Sequence, residues 1–171
     1  MDLQGKVVAV TGGGDGIGRQ LVLELLRRGA GVAAIDLREE SLSETAELAG
    51  AGDRLGGFAA DVTDGARAAG RRTEIEVSLG PVDVLIHNAG IIQPFVKLND
   101  LDYEAIQRVI DVNLYGTIYV VKEFLPMLLS RPEAHVATVS SMGGFLPVPG
   151  QTIYGATKAG VKLLTEGLFA E

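Results

Sequence analysis

Apolar and polar positions along the chain alternate between two rhythms. Val7 to Val10 is a short, unbroken apolar run rich in β-branched residues; glycines follow it, and then "RQLVLELLRRG", whose apolar residues recur at helical spacing. The segment predicts strand, turn and helix. The order then repeats, with "GVAAID" (31–36) as a strand and Ser41 to Ala49 as a helix. "LGGFAAD" predicts a weaker strand, and Gly65 to Ser78 a poor helix containing two glycines. "VDVLIH" is a clear fourth strand, followed by a long helical pattern over Asp102 to Leu129 that Pro126 is expected to bend or end. "HVATVS" predicts the fifth strand and Gln151 to Phe169 the last helix.

Apolar strands alternating with helices imply a parallel sheet covered on both faces, because each parallel return needs a crossover and right-handed crossovers lay helices on the sheet. The expected class is α/β, doubly wound. At 171 residues and 47% hydrophobic content, the chain suits one domain over 1–171, with no linker, repeat or low-complexity segment. A net charge of -7 argues against a nucleic-acid surface, which needs clustered Lys and Arg. The absence of Cys removes disulfides, thiolate ligands and a thiol nucleophile. Met1 to Lys6 leads straight into a strand pattern, without a leader-like order of basic, apolar and small residues. No apolar run reaches the roughly eighteen residues of a membrane span. A cytoplasmic protein with no membrane partner is the expectation.

The turn after the first strand, "VTGGGDGIGR" (10–19), places glycines at 12, 16 and 18, with two more at 13 and 14. Residues without Cβ let the main chain turn sharply and approach a pyrophosphate, whose charge the amides and dipole of the helix N-terminus stabilise. A glycine cluster alone is as readily a flexible turn. Its position after the first strand of an alternating α/β chain is where dinucleotides bind. Asp36 ends "GVAAID" eighteen residues beyond Gly18, near the spacing of a carboxylate that accepts from a ribose 2′-hydroxyl, though Asp also commonly ends strands. Asp15 adds negative charge within the turn. Both favour NAD over NADP, while Arg38 is a guanidinium within reach of a 2′-phosphate.

Taken together, "TGGGDGIG" (11–18), "NAG" (88–90), "VSS" (139–141) and "YGATK" (154–158) resemble the short-chain dehydrogenase/reductase family from one end of the chain to the other. The resemblance implies a Rossmann-like doubly wound sheet in the order 3-2-1-4-5, a nicotinamide cofactor and oxidoreductase chemistry. By the same resemblance Thr11, Gly12, Gly16, Ile17 and Gly18 match the cofactor turn, beside the Asp15 and Asp36 already read from charge and spacing. Asp61 and Val62 match the adenine pocket, and Asn88, Ala89 and Gly90 the turn after the fourth strand. Ser141, Tyr154 and Lys158 match the catalytic set, with Asn113 of "DVNLYG" as its fourth member. Ser141 is preferred to Ser140 for lying thirteen residues before Tyr154. His87 stands where the family usually has Asn, which bears on packing more than on chemistry.

A free phenol titrates near 10 and is a sluggish base at neutral pH. Residues i and i+4 share a helix face, so the Lys158 ammonium can lie near the Tyr154 oxygen and favour its anion. Ser141 would anchor the substrate oxygen, and the family resemblance implies that Tyr154 and Lys158 also meet the nicotinamide ribose. In the family the lysine and asparagine carry a proton relay through water, and Asn113 is expected to do so here. Each residue has a plainer role: Tyr and Lys as a solvated helix pair, Asn113 as a buried amide satisfied by main chain, Ser141 as a turn cap. His87 and His135 lie too far from other ligand-type residues to suggest zinc. Arg67, Arg71 and Arg72 read as a solvated helix face. Phe145 to Pro149 form an apolar loop that lines a substrate pocket or simply covers the sheet.

Family members usually continue beyond the YxxxK helix with two strands and a substrate loop. With those last strands absent, the sequence is expected to be a piece of a longer enzyme. The expected function is hydride transfer between NAD(H) and a small alcohol or ketone, apolar if the 145–149 loop lines its pocket, in a homodimer or homotetramer. The alternative is a non-catalytic nucleotide-binding module acting through subunit or partner contacts. A methyltransferase would leave the Tyr-Lys pair without purpose, and an epimerase normally carries a different glycine spacing.

Overall fold

The computed structural model describes residues 1–170, with main chain only for 66–69. Five strands form one sheet: β1 (Val7–Thr11), β2 (Gly31–Asp36), β3 (Leu55–Ala59), β4 (Val84–His87) and β5 (His135–Thr138). Every pairing is parallel, and the order is β3-β2-β1-β4-β5, as the resemblance implied. The helices are α1 (Gly16–Arg27), α2 (Glu39–Ala49), α3 (Gly65–Leu79), α4 (Tyr103–Ile110), α5 (Gly116–Leu129) and α6 (Thr152–Ala170).

Side-chain alternation on β1 divides the core into two layers. Val8 and Val10 pack with Val22, Leu25 and Leu26 of α1 and Leu42 of α2. Val7 and Ala9 pack with Ile75 of α3 and Val120, Val121 and Phe124 of α5, and Leu168 of α6 joins this second layer. Burial on both faces explains why β1 is apolar at four successive positions and wholly buried. In contrast, β5 is one of the two edge strands, and its residues alternate between exposed and half-buried.

The long helical pattern over 102–129 is divided. Between α4 and α5 the chain takes a wider π turn at Asp111–Tyr115, with Asn113 buried at its centre. Periodicity cannot show this, because a single wide turn is too short to establish a period of its own. Pro126 does not end α5, which continues through Met127, Leu128 and Leu129.

Asp83 ties the sheet together at its far end. Its carboxylate accepts from Val7 N (3.0 Å) and Arg131 Nε (2.9 Å), while its carbonyl accepts from His135 N (3.0 Å). The opposite edge, where Thr11, Asp36, Ala59, His87 and Thr138 end their strands, is left to the loops. Ligands bind in open α/β sheets at this carboxyl edge. Arg71 departs from the expected solvated face: its Nε donates to the Ala59 carbonyl (2.9 Å) while its guanidinium pairs with Glu74. Arg72 pairs loosely with Glu76 at 3.7 Å. The Arg67 side chain lies outside the described residues. Among the described residues, no helix is long and apolar enough to cross a membrane.

Candidate active site

The glycine turn is tight because main chain packs on main chain. A Cβ on Gly18 would lie 1.9 Å from the Gly12 carbonyl oxygen and 2.7 Å from Asn88 Nδ2. Gly12 and Gly16 have φ of 67° and 51°, in the left-handed region that favours glycine. Asp15 caps α1 through the Gly16 N–H (2.7 Å), which with Arg38 holds its carboxyl below the usual range. Asp36 reaches back to the same turn: Oδ2 accepts from Gly14 N at 3.0 Å and Oδ1 from Arg38 N at 3.1 Å. The Arg38 guanidinium in turn lies 3.2 Å from Asp15 Oδ2.

Beside this turn opens a cavity of about 640 Å³, lined among others by Gly12, Asp36, Arg38, Asp61, Val62 and Gly90. Ala89 also lines it, and so do Ile35 and Ala60. Asp61 keeps its carboxylate busy with Thr63, whose N–H and hydroxyl donate to Oδ1 at 2.9 and 2.8 Å. Asp15, Gly16 and Ile17 lie instead around a shallower depression at the start of α1, where Ile17 is 68% exposed. Thr11 is wholly buried behind the turn, its Oγ1 accepting from Asn88 N and Ala89 N, both at 3.1 Å. Asn88 Nδ2 donates to the Thr11 carbonyl at 3.2 Å. Thr11 and Asn88 therefore hold the turns on β1 and β4 together.

That network settles the form of His87. With two N–H groups already on Thr11 Oγ1, the threonine hydroxyl donates to His87 Nδ1 (3.0 Å), leaving the imidazole proton on Nε2. Among the described residues, buried Nε2 has no partner. Burial, assisted by the nearby Lys158 charge, pushes the His87 pKa down to about 3. The ring is neutral and acts as a strand-end spacer, consistent with a role in packing.

Beyond Gly90 the second half of the site assembles around α6. Lys158 is 5% exposed, and burial lowers its pKa. Its Nζ donates to the Val139 carbonyl at 2.9 Å and lies 5.9 Å from the Tyr154 ring centroid, so tyrosine and ammonium share one side of the helix. A Cβ on Gly90 would be 3.1 Å from both Lys158 Nζ and Asn113 Oδ1, so both groups crowd the space that the glycine leaves open. Asn113 spends its amide on the main chain: Oδ1 accepts from Ile91 N (2.8 Å), and Nδ2 donates to Ile91 O (2.9 Å) and Thr157 Oγ1 (3.2 Å). This is the satisfied buried amide that the sequence allowed as the plainer role.

The two serines after β5 face different ways. Ser140 Oγ donates to the Lys158 carbonyl at 2.8 Å, fastening the loop to α6. Ser141 Oγ accepts from Gly143 N at 3.1 Å, which leaves its own hydrogen to donate. A Cβ on Gly143 would sit 3.5 Å from Tyr154 Cε1 and 3.6 Å from Ser141 Oγ, so hydroxyl and ring flank one glycine. Two buried amides with no sequence signal, Gln93 and Gln151, complete the framework at the start of α6. A lone Gln has no local pattern that reveals its partner.

A family model described as short chain dehydrogenase matches residues 6–171. The 2-dehydro-3-deoxy-L-rhamnonate dehydrogenase (NAD(+)) of a Sphingomonas species is 34% identical over 98% of this chain and 66% of its own. The 2-(S)-hydroxypropyl-CoM dehydrogenase 3 of Xanthobacter autotrophicus is 34% identical over 99% of this chain and 66% of its own. Among solved structures, a short chain dehydrogenase/reductase of Burkholderia phymatum in complex with NAD superposes with a TM-score of 0.95 at 30% identity. It covers 99% of this chain and 61% of that one. The chain thus spans about two thirds of the length of these relatives. With the parallel sheet, the glycine turn and the Ser-Tyr-Lys cluster in place, the chain belongs to the short-chain dehydrogenase family.

Proposed function

We propose that the protein moves a hydride between NAD(H) and a small alcohol or ketone, with Tyr154 as proton donor and acceptor. The observation that carries this reading is the seating of Tyr154 and buried Lys158 on one side of α6, within the cluster that Ser141 completes. The nicotinamide, when bound, supplies or accepts the hydride.

The residues fit such a cofactor. The glycine turn offers main-chain N–H groups and the N-terminus of α1 to a pyrophosphate. The neighbouring cavity of about 640 Å³ has Asp36 at its wall for a ribose hydroxyl, and Arg38 at its rim is held by Asp15. That arrangement supports NAD over NADP. Lys158 keeps two N–H donors beyond the one given to Val139, for ribose hydroxyls at the nicotinamide end.

At the reacting end, Ser141 donates its hydroxyl hydrogen to the substrate oxygen and Tyr154 exchanges a proton with it. Lys158, a cation in a poorly solvated position, stabilises the negative charge left on the phenol oxygen. Asn113 holds Ile91 next to Gly90, against which Lys158 packs, and its part in the proposed proton relay is to keep that side of the site in place. Phe95, Met142, Phe145 and Leu146 are exposed on the loops flanking α6 and suit an apolar substrate. Tyr103, Tyr115 and Leu163, exposed on α4, the π turn and α6, suit a homo-oligomer.

Tyr154→Phe tests the reading. Against a panel of alcohols followed by NADH absorbance, turnover should fall by about 10³-fold, within the range for removal of a general acid or base. NADH binding, followed by cofactor fluorescence, should survive. Retained turnover would remove Tyr154 from the mechanism.

A further inference from the structure

Helix starts leave their first main-chain N–H groups unpaired, and α6 starts two residues before the tyrosine on which the proposed chemistry rests. Ser, Thr or Asp just before a helix usually folds back to accept one of these donors. Here that residue is Gln151, and its Nε2 turns away to donate to the Gln93 carbonyl at 3.0 Å. The Tyr154 N–H is accepted instead by Gln93 Oε1 at 2.9 Å. Gln93 Nε2 donates to the Gly150 carbonyl at 2.9 Å. A side chain from the loop after β4 thus caps α6 from 61 residues away.

The cap has one orientation and little slack. Gln93 is 2% exposed, and reversing its amide would set NH2 against the Tyr154 N–H and oxygen against the Gly150 carbonyl. Gly150 has φ of 75°, and a Cβ there would lie 3.4 Å from Val96 N, so the two loops close on each other. Two residues before Gln93, Ile91 is gripped through both its N–H and its carbonyl by Asn113. One short segment therefore links the surroundings of Lys158 to the first turn of α6.

We infer that Gln93 is a positioning residue for Tyr154: by capping α6 across the fold it fixes the height and rotation of the first helical turn. It thereby sets where the phenol stands relative to Ser141 and the nicotinamide end of the cofactor. The inference rests on the proposed role of Tyr154. Gln93 acts through the Tyr154 main chain and reaches neither substrate nor cofactor.

Gln93→Met keeps the side-chain length and removes both amide bonds. Gln93→Glu keeps an acceptor oxygen for Tyr154 N–H and, when protonated, a donor for Gly150. Amide hydrogen exchange at Tyr154 and dissociation constants for NADH and ADP are measured in each variant. ADP lacks the nicotinamide ribose. In Gln93→Met, Tyr154 exchange should accelerate at least about fivefold, in keeping with the loss of a helix cap. NADH binding should weaken about fivefold while ADP stays within about twofold, and Gln93→Glu should recover most of the NADH affinity. Unchanged Tyr154 exchange, equal weakening of both nucleotides, or no recovery in Gln93→Glu would overturn the inference. If the unmodified protein binds NADH no better than ADP, the proposed function fails by itself, and Tyr154 exchange still judges the cap. Should Gln93→Met not fold, Gln93→Asn withdraws the oxygen by one methylene and is read in the same way.

Discussion

Asp15 and Arg38 are both exposed, and under the proposed function their ion pair bears on which cofactor the cavity admits. An exposed ion pair contributes little to stability. Its effect lies in orientation, since Arg38 engaged with Asp15 is less available to a 2′-phosphate. Asp15→Asn should raise NADPH affinity relative to NADH by about three- to tenfold at low salt, with the gain shrinking as salt screens it. Fluorescence titration with both nucleotides measures the ratio. An unmoved ratio would take Asp15 out of cofactor choice. Lys158 illustrates the opposite case, a cation kept at 5% exposure with burial opposing its charge, a cost in keeping with the role proposed for it beside Tyr154.

At the scale of elements, β1, the glycine turn and α1 form one unit whose two key glycines are required for different reasons. Gly18 is required by space, because its Cβ would overlap the Gly12 carbonyl at 1.9 Å. Gly16 is required by conformation, since its φ is 51° and a Cβ there would meet nothing within 4 Å. Gly18→Ala should therefore cost about 2–3 kcal/mol and open the turn, removing dinucleotide binding along with stability. Gly16→Ala should cost only about 1 kcal/mol, the strain of a left-handed alanine. Thermal melts and NADH titration of the pair separate the two causes, and equal losses would contradict the distinction. Both glycines were legible from the motif, but their separate reasons were not, because overlap with Gly12 exists only once α1 has packed against the turn.

For the whole molecule, buried His87 makes stability depend on acid. Its pKa is about 3 in the folded chain and about 6.5 unfolded, so between these values the unfolded chain binds the extra proton. The contribution is fully present above pH 6.5 and is lost as pH falls toward 3, by at most about 1.4 kcal/mol per pH unit. Denaturant titrations from neutral pH downward should show the native chain losing stability faster than His87→Asn, which has no imidazole to protonate. Parallel curves would place the acid sensitivity elsewhere.

Much of this protein was written locally. The apolar strands, the helical faces, the glycine turn and the four-residue step from Tyr154 to Lys158 each occupy a short window, and short windows are where main-chain geometry imposes its period. Doubly wound packing follows from those periods, because strands apolar on both faces must be covered twice. The π turn at Asn113, the grip of that side chain on Ile91 and the cap from Gln93 to Tyr154 had no such window. A buried amide bonds whatever polar group the topology delivers, and only the assembled sheet and helices bring residues 22 or 61 positions apart within 3 Å. Residue types and their periods determined the frame and the reactive groups, while tertiary packing decided which main-chain groups hold those residues in place.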